Sequence, residues 1–187
     1  MVYRDEIMRA KIFIETERLL LREWLPADAA FYINMNQDAA VMEFFAAKLT
    51  EEQSILHIER IRKQIKNTGY GLFAIERKED KAFIGFTGFS HPAFDAFFTP
   101  CVEMGWRIAH HYWNKGYATE AAKACLVFGF QKMGWKDIYS FTSVLNTRSE
   151  NVMKKTGMHK EGEFDHPLLE NGHRLLKHVV YKISQEK

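Results

Sequence analysis

In the stretch YWNKGYATE (112–120), Gly116 stands between a predicted strand and an alanine-rich helical pattern. The first turn of a helix leaves four main-chain amides without intrahelical partners, and the helix dipole adds positive potential at the same end. A glycine there lets an anion approach the backbone closely, so the segment reads as a cradle for a diphosphate. The Lys115 ammonium and the Thr119 hydroxyl are further donors to the same anion. A glycine before a helix is also an ordinary turn. Neither GxGxxG nor GxxxxGK[ST] is present, so the flanking segments must decide.

Two flanking segments carry groups able to move protons or hold a ligand. In EMGWRI (103–108), period-two alternation puts Glu103, Gly105 and Arg107 on one face and Met104, Trp106 and Ile108 on the other. A bulge in this strand would exchange the two faces. In NTRSENVMKKTGM (146–158), Asn146 is a candidate N-cap, but Thr147 and Glu150 form a T-x-x-E capping box one residue later. With the box in place, the Asn146 amide is free for a ligand.

The elements that must position these groups follow from periodicity. Residues 18–24 (RLLLREW) read as a strand, and Pro26 suits the first turn of a helix running through Ala29, Ala30 and Ile33. A second helix starts near Thr50 and repeats Ile55, Ile58, Ile61 and Ile65, with a solvated basic back of Arg60, Arg62, Lys63 and Lys66. Residues 72–76 and 82–89 form a hairpin, and 100–108 a third strand in that series. A helix of mostly small residues spans 116–133, then a strand at 137–144, a short helix at 148–156 and strands at 158–164 and 175–183. No repeat, low-complexity tract or linker divides the chain, so 1–187 is read as one domain with an N-terminal extension over 1–14.

Composition narrows the classes. A hydrophobic share of 47% with 27% charged residues is too apolar and too balanced for a disordered chain. The 26 basic and 24 acidic residues are dispersed, which gives no field for non-specific nucleic-acid binding. Cys101 and Cys125 lie in no CxxC or His-rich ligand pattern, so no metal and a reducing compartment are expected. The charged first ten residues and the lack of any apolar run near ~18 residues argue against a signal peptide and a membrane span, and a cytoplasmic protein is expected.

The order of EMGWRI, the 112–120 loop and the 146–158 segment resembles the GNAT acetyltransferases, more narrowly their ribosomal-protein serine/alanine N-acetyltransferase-like branch. TERLLLREW (16–24), YWNKGYATEA (112–121), Asn146 with Ser149, KKTGM (154–158) and HVVY (178–181) all fit, and together they span almost the whole chain. The resemblance implies an α+β fold: a single mixed, mostly antiparallel sheet of about seven strands, splayed in the middle and flanked by about four helices. It implies that the pantetheine arm of acetyl-CoA enters between strands 100–108 and 137–144 and pairs with the backbone at Trp106 and Ile108, with Arg107 between them counted among the cofactor-binding residues. Asn114, Lys115, Gly116, Tyr117, Ala118 and Thr119 would hold the diphosphate, and Asn146 would reach the arm from the opposite strand. Two departures stand out. Trp113 replaces the Gln or Arg usual three residues before the loop glycine, and Met153 stands where many members carry a proton-donating tyrosine.

The implied reaction passes an acetyl group from acetyl-CoA to a primary amine, a protein N-terminus or a small molecule, by direct attack in a ternary complex. The amine must lose a proton, since its ordinary pKa is about 8 for an α-amino group and about 10.4 for lysine. Glu103 is the candidate general base, directly or through water; the other reading is a solvent-facing or salt-bridged strand glutamate. Ser149 is the candidate acid for the thiolate, or a residue that merely starts the short helix, with water serving instead. Residues 27–67 and 165–173 are expected to build the acceptor surface, and Trp24, Phe44, Phe45, Phe94, Phe97 and Phe98 either wall it or pack the core. His57, His91 and His173 are assigned nothing, and His110 and His111 are expected to be exposed. A monomer or homodimer fits equally. The rival reading is an acyl-CoA-binding sensor or interaction protein without turnover.

Overall fold

The structure, a computed structural model, describes residues 10–185. One eight-stranded sheet forms its centre, with strands β1 (Ile12–Glu15), β2 (Leu19–Arg22), β3 (Leu72–Arg77), β4 (Phe83–Ser90), β5 (Glu103–Ile108), β6 (Asp137–Ser143), β7 (His159–Asp165) and β8 (Lys177–Ser184). Their spatial order is β1-β2-β3-β4-β5-β6-β8-β7. Four helices flank it: α1 (Asp28–Gln37), α2 (Glu51–Thr68), α3 (Tyr117–Gln131) and α4 (Thr147–Lys155). The seven expected strands are all present. The eighth, β1, overlaps the end of the stretch expected as an extension over 1–14, and pairs antiparallel with β2; residues 1–9 lie outside the described residues.

Local chemistry explains the elements nearest the site. Thr50 caps α2 through a reciprocal box with Gln53, and left-handed Gly69 (φ 78°) ends it. Its Ile58, Ile61 and Ile65 are buried on the sheet while Ile55 stays exposed. Helix α1 begins at Asp28, two residues after Pro26, because the Asp28 carboxylate is bound inward: it accepts from Arg22 at 2.7 and 2.9 Å and from the Leu25 amide at 2.8 Å. Arg22 also reaches Glu76 at 2.6 Å, so this buried guanidinium has two acidic partners.

The sheet is antiparallel except where β5 meets β6. Those two strands run parallel and share one register pair, Glu103 with Tyr139, where the Tyr139 amide donates to the Val102 carbonyl at 2.9 Å. Beyond that pair β6 is held only by β8, from Asp137 to Ser143, and β5 only by β4. A wedge therefore opens in mid-sheet, as expected. Helix α3 packs its Phe128 against Phe73 and Phe89 on one face of the sheet; on the other, α1 packs its Tyr32 against Trp24 and Phe86, and α2 its His57 against Phe86.

Candidate active site

At the mouth of the wedge the chain leaves β5, makes a short 3-10 turn (His110–Tyr112) and enters α3. Asn114 and Gly116 both have left-handed backbones, with φ of 60° and 82°. Such residues, set among right-handed ones, turn successive amides toward one concavity. Gly116 caps α3 without any side-chain cap, and no side chain among the described residues accepts from the first-turn amides of Tyr117, Ala118 and Thr119. These are the free donors that the sequence suggested.

The loop is braced from outside by a network absent from the sequence reading. Glu120, in the first turn of α3, accepts from Thr16 Oγ1 at 2.6 Å and from the Arg18 amide and Nε at 3.0 and 2.6 Å. Arg18 Nη1 in turn donates to the Lys115 carbonyl at 3.0 Å. Burial alone would raise the Glu120 pKa, but the hydrogen bonds from Thr16 and Arg18 hold it below the ordinary glutamate value. The β1–β2 turn is thus fastened to the loop.

A cavity of about 770 Å³ runs from this loop through the wedge to the face covered by α1 and α2. It is lined by Glu103, Trp106, Arg107, Ile108, Asn114, Gly116, Tyr117, Ala118, Thr119, Asn146 and Ser149, which is every singled-out residue except Lys115. The Lys115 ammonium instead lies 5.6 Å from the centre of the Tyr112 ring. Phe44, Phe45, His57, His166 and Leu168 line the far end, in the two segments expected to form the acceptor surface. Trp24 is core, Phe94 and Phe98 pack with Phe141 and Phe164, and Phe97 is exposed.

Main-chain directions on β5 separate its residues. The Val102 carbonyl faces β6 and the Ala109 amide donates to Ile84 on β4 at 2.9 Å, so by alternation the Trp106 and Ile108 main chains face the wedge. The Ile108 carbonyl is already taken by the Trp113 indole, which donates to it at 2.7 Å. Arg107 differs: its main chain pairs with Phe86 on β4, and its carbonyl would lie only 2.1 Å from a Cβ placed on Gly85. Its backbone therefore does not face the wedge as those of Trp106 and Ile108 do, and it is the side chain that reaches the cavity.

Glu103 sits where the wedge closes. It has no salt-bridge partner among the described residues, and Ser90 Oγ donates to its Oε2 at 2.9 Å. Burial pushes its pKa up to about 7, with the Ser90 bond pulling weakly the other way. A carboxyl poised there exchanges protons at neutral pH. Glu103 is half-buried in the cavity wall, and no ion pair to it forms among the described residues.

The helix cap expected at Thr147 is corrected. Helix α4 starts at Thr147, and Asn146 is its N-cap, accepting from the Ser149 amide at 3.1 Å and donating to Thr142 Oγ1 at 3.0 Å. The Thr147 box does not form, and Glu150 turns outward to Tyr181 and Lys154. Asn and Thr competed for one end, and Asn is the stronger cap. Met153 is fully buried, with no side chain in the cavity, while the Ser149 hydroxyl is half-exposed in it.

Three side chains escaped the sequence reading. His57 reaches the cavity beside Tyr32, whose hydroxyl it hydrogen-bonds; burial first, then Arg107 and Arg60, lower its pKa to about 4. His166 and His178 pack with ring centres 4.8 Å apart and planes tilted by 50°, and burial lowers the pKa of both. None has a spacing partner in sequence, because helix packing and strand pairing bring them together.

The centre of the molecule is thus a mixed sheet parted between parallel strands, with a left-handed glycine loop at the wedge mouth. The Acetyltransferase (GNAT) domain model matches residues 18–159, and the chain belongs to that family of acetyl-CoA-dependent acetyltransferases. It is 32% identical to the uncharacterized N-acetyltransferase YnaD of Bacillus subtilis, over 93% of this chain and 98% of that one. The crystal structure of a GNAT-family acetyltransferase from Bacillus anthracis superposes with a TM-score of 0.75 at 30% identity, covering 92% of this chain and 98% of the other. A ribosomal-protein-S5-alanine acetyltransferase from Vibrio fischeri shares the fold at 20% identity and a TM-score of 0.72, over 91% and 94% of the two chains.

Proposed function

We propose that this protein is an N-acetyltransferase that moves the acetyl group of acetyl-CoA to a primary amine by direct attack within a ternary complex. The observation that carries it is the continuity of one cavity from the free amides of Tyr117, Ala118 and Thr119 to the Glu103 carboxylate, where β5 and β6 part. The loop amides bind the diphosphate and the Trp106 main chain and Ile108 amide pair with the pantetheine arm, which sets the thioester beside Glu103. Glu103, directly or through one water, takes the proton that the amine must lose. Asn146 fixes the start of α4 and so the Ser149 hydroxyl, which, with water, supplies the proton to the departing thiolate. A thiolate of pKa about 8.5 is a weak enough base for such modest help to suffice.

The burial of Met153 outside the cavity, with no tyrosine taking its place, favours a second reading, an acyl-CoA-binding sensor. Thiol release measured with acetyl-CoA across peptide N-termini and small amines separates the two. Release on at least one amine supports the transferase, and tight CoA binding with no release on any amine selects the sensor.

A further inference from the structure

Arg107 is half-buried on the acceptor side of the site, and no acid among the described residues neutralises it. Its guanidinium lies 4.0 Å from the centre of the Phe45 ring and 5.3 Å from that of Phe86. Nη1 donates to Asn36 Oδ1 at 2.5 Å, and the other polar neighbour is the neutral Tyr32 hydroxyl. No carboxylate among the described residues lies within ion-pair distance, and Nε is buried without any hydrogen-bond partner. Arg22 shows how this fold treats a buried guanidinium that serves structure alone: it is clamped by Asp28 and Glu76. An arginine cannot discharge itself by losing its proton, so a desolvated one without an anion is costly to keep.

The surroundings preserve that positive charge. Asn36 is held by Ser54 at 2.9 Å, which orients its oxygen toward Arg107, and His57 is kept neutral rather than adding a second cation. Along β5, Arg107 shares a face with Glu103, four residues away, and with Gly105, where nothing lies within 4 Å of a Cβ position. That gives a floor open between a proton acceptor and a fixed cation, about 13 Å apart along the strand.

We propose that Arg107 is the counter-ion for a carboxylate carried by the amine acceptor, so that the substrate is an amino acid with well-separated ends or a peptide with an acidic residue near its N-terminus. The proposal rests on the acetyl-transfer reading for the identity of the other substrate group, the amine. A single unpaired guanidinium matches one negative charge, and its fork fits the two oxygens of a carboxylate. A phosphate dianion would leave charge uncompensated, because the nearest imidazole is neutral.

The test uses pairs of equal size: γ-aminobutyrate and ε-aminocaproate against their amides, and peptides with Asp against Asn at the first or second position. Thiol release is followed for the wild type, Arg107→Gln and Asn36→Asp. The second variant retains the arginine but supplies an internal carboxylate, so it decides the matter if Arg107→Gln does not fold. At least one acid should exceed its amide in kcat/KM by about tenfold or more in the wild type. Both variants should erase that preference while the KM for acetyl-CoA stays within about twofold. In parallel, the Arg107 Nε resonance of the CoA-bound protein is followed by NMR during titration with each member of the pairs. A shift with acids only, accompanied by no release from any amine, would refute the transferase reading and uphold the counter-ion. Equal rates within every pair and an unmoved resonance would overturn the proposal, as would a preference that survives in both variants.

Discussion

Arg18 and Glu120 meet through Nε and Nη2 at 2.6 Å each, across 102 residues of sequence, and Arg18 Nη1 continues to the Lys115 carbonyl at 3.0 Å. The pair joins the β1–β2 turn to the 114–119 loop, proposed above to hold the diphosphate, so it orders those amides before any ligand arrives. Preorganised donors bind an anion more tightly than mobile ones because less entropy is lost on binding.

Arg18→Ala is therefore expected to weaken CoA binding about fivefold, a modest figure because the pair is partly solvated. Calorimetric titration against the wild type is the check, with circular dichroism to confirm an unchanged fold. An affinity within about 1.5-fold of wild type would show that the loop holds its shape unaided.

Gly116→Val should act more strongly. Only Arg18 Nη2, at 3.3 Å, lies near a Cβ placed there, so space is available, but φ of 82° is strained for a branched side chain. The loop must change shape, and CoA affinity should fall about 100-fold, at a cost in stability of about 1–2 kcal/mol. Retained affinity, read by calorimetry, would remove the cradle from the mechanism.

Glu103→Gln separates catalysis from binding. The substitution should leave the Kd for CoA unchanged and lower kcat/KM about 10²-fold at pH 8. In the wild type the base form appears as pH rises through about 7, and the variant should lack that limb of the profile. Stability should move the opposite way. A carboxyl raised from 4.5 to about 7 on folding takes up a proton, so its contribution is full below 4.5 and is lost as pH rises through 7. Above that range Glu103→Gln should melt higher than wild type, by ~2–5 °C. A pH–rate profile indifferent to the substitution would place the base elsewhere.

Met153→Tyr asks whether a proton-donating tyrosine can be installed at this position. Met153 is fully buried, so a phenol there must be forced into packed core. A destabilisation of about 1–3 kcal/mol with no gain in kcat is expected, measured by denaturant titration and thiol release. A rise in kcat would show that the position still faces the thioester.

Much of this was legible because local signals agreed with the global fold. Helix α2 announced itself through Thr50, Gln53 and the isoleucine repeat, and the Gly116 loop through its place between strand and helix. Strand β1 was not legible: Ile12–Glu15 is short, and its strand state comes from pairing with β2. The cap of α4 was misjudged because two overlapping capping patterns fit one helix start. Arg107 was assigned by its neighbours in sequence, whereas alternation turns its backbone to β4 and its side chain to Asn36. His57 and His178 joined the site only through packing, which no spacing along one chain reveals.

Amide hydrogen exchange, followed residue by residue with and without acetyl-CoA, addresses the cradle and the wedge together. Protection on binding is predicted at Trp106, Ile108, Tyr117, Ala118 and Thr119, with little change along β7 and β8. Protection confined to other segments, with the 117–119 amides exchanging as fast as before, would contradict the account.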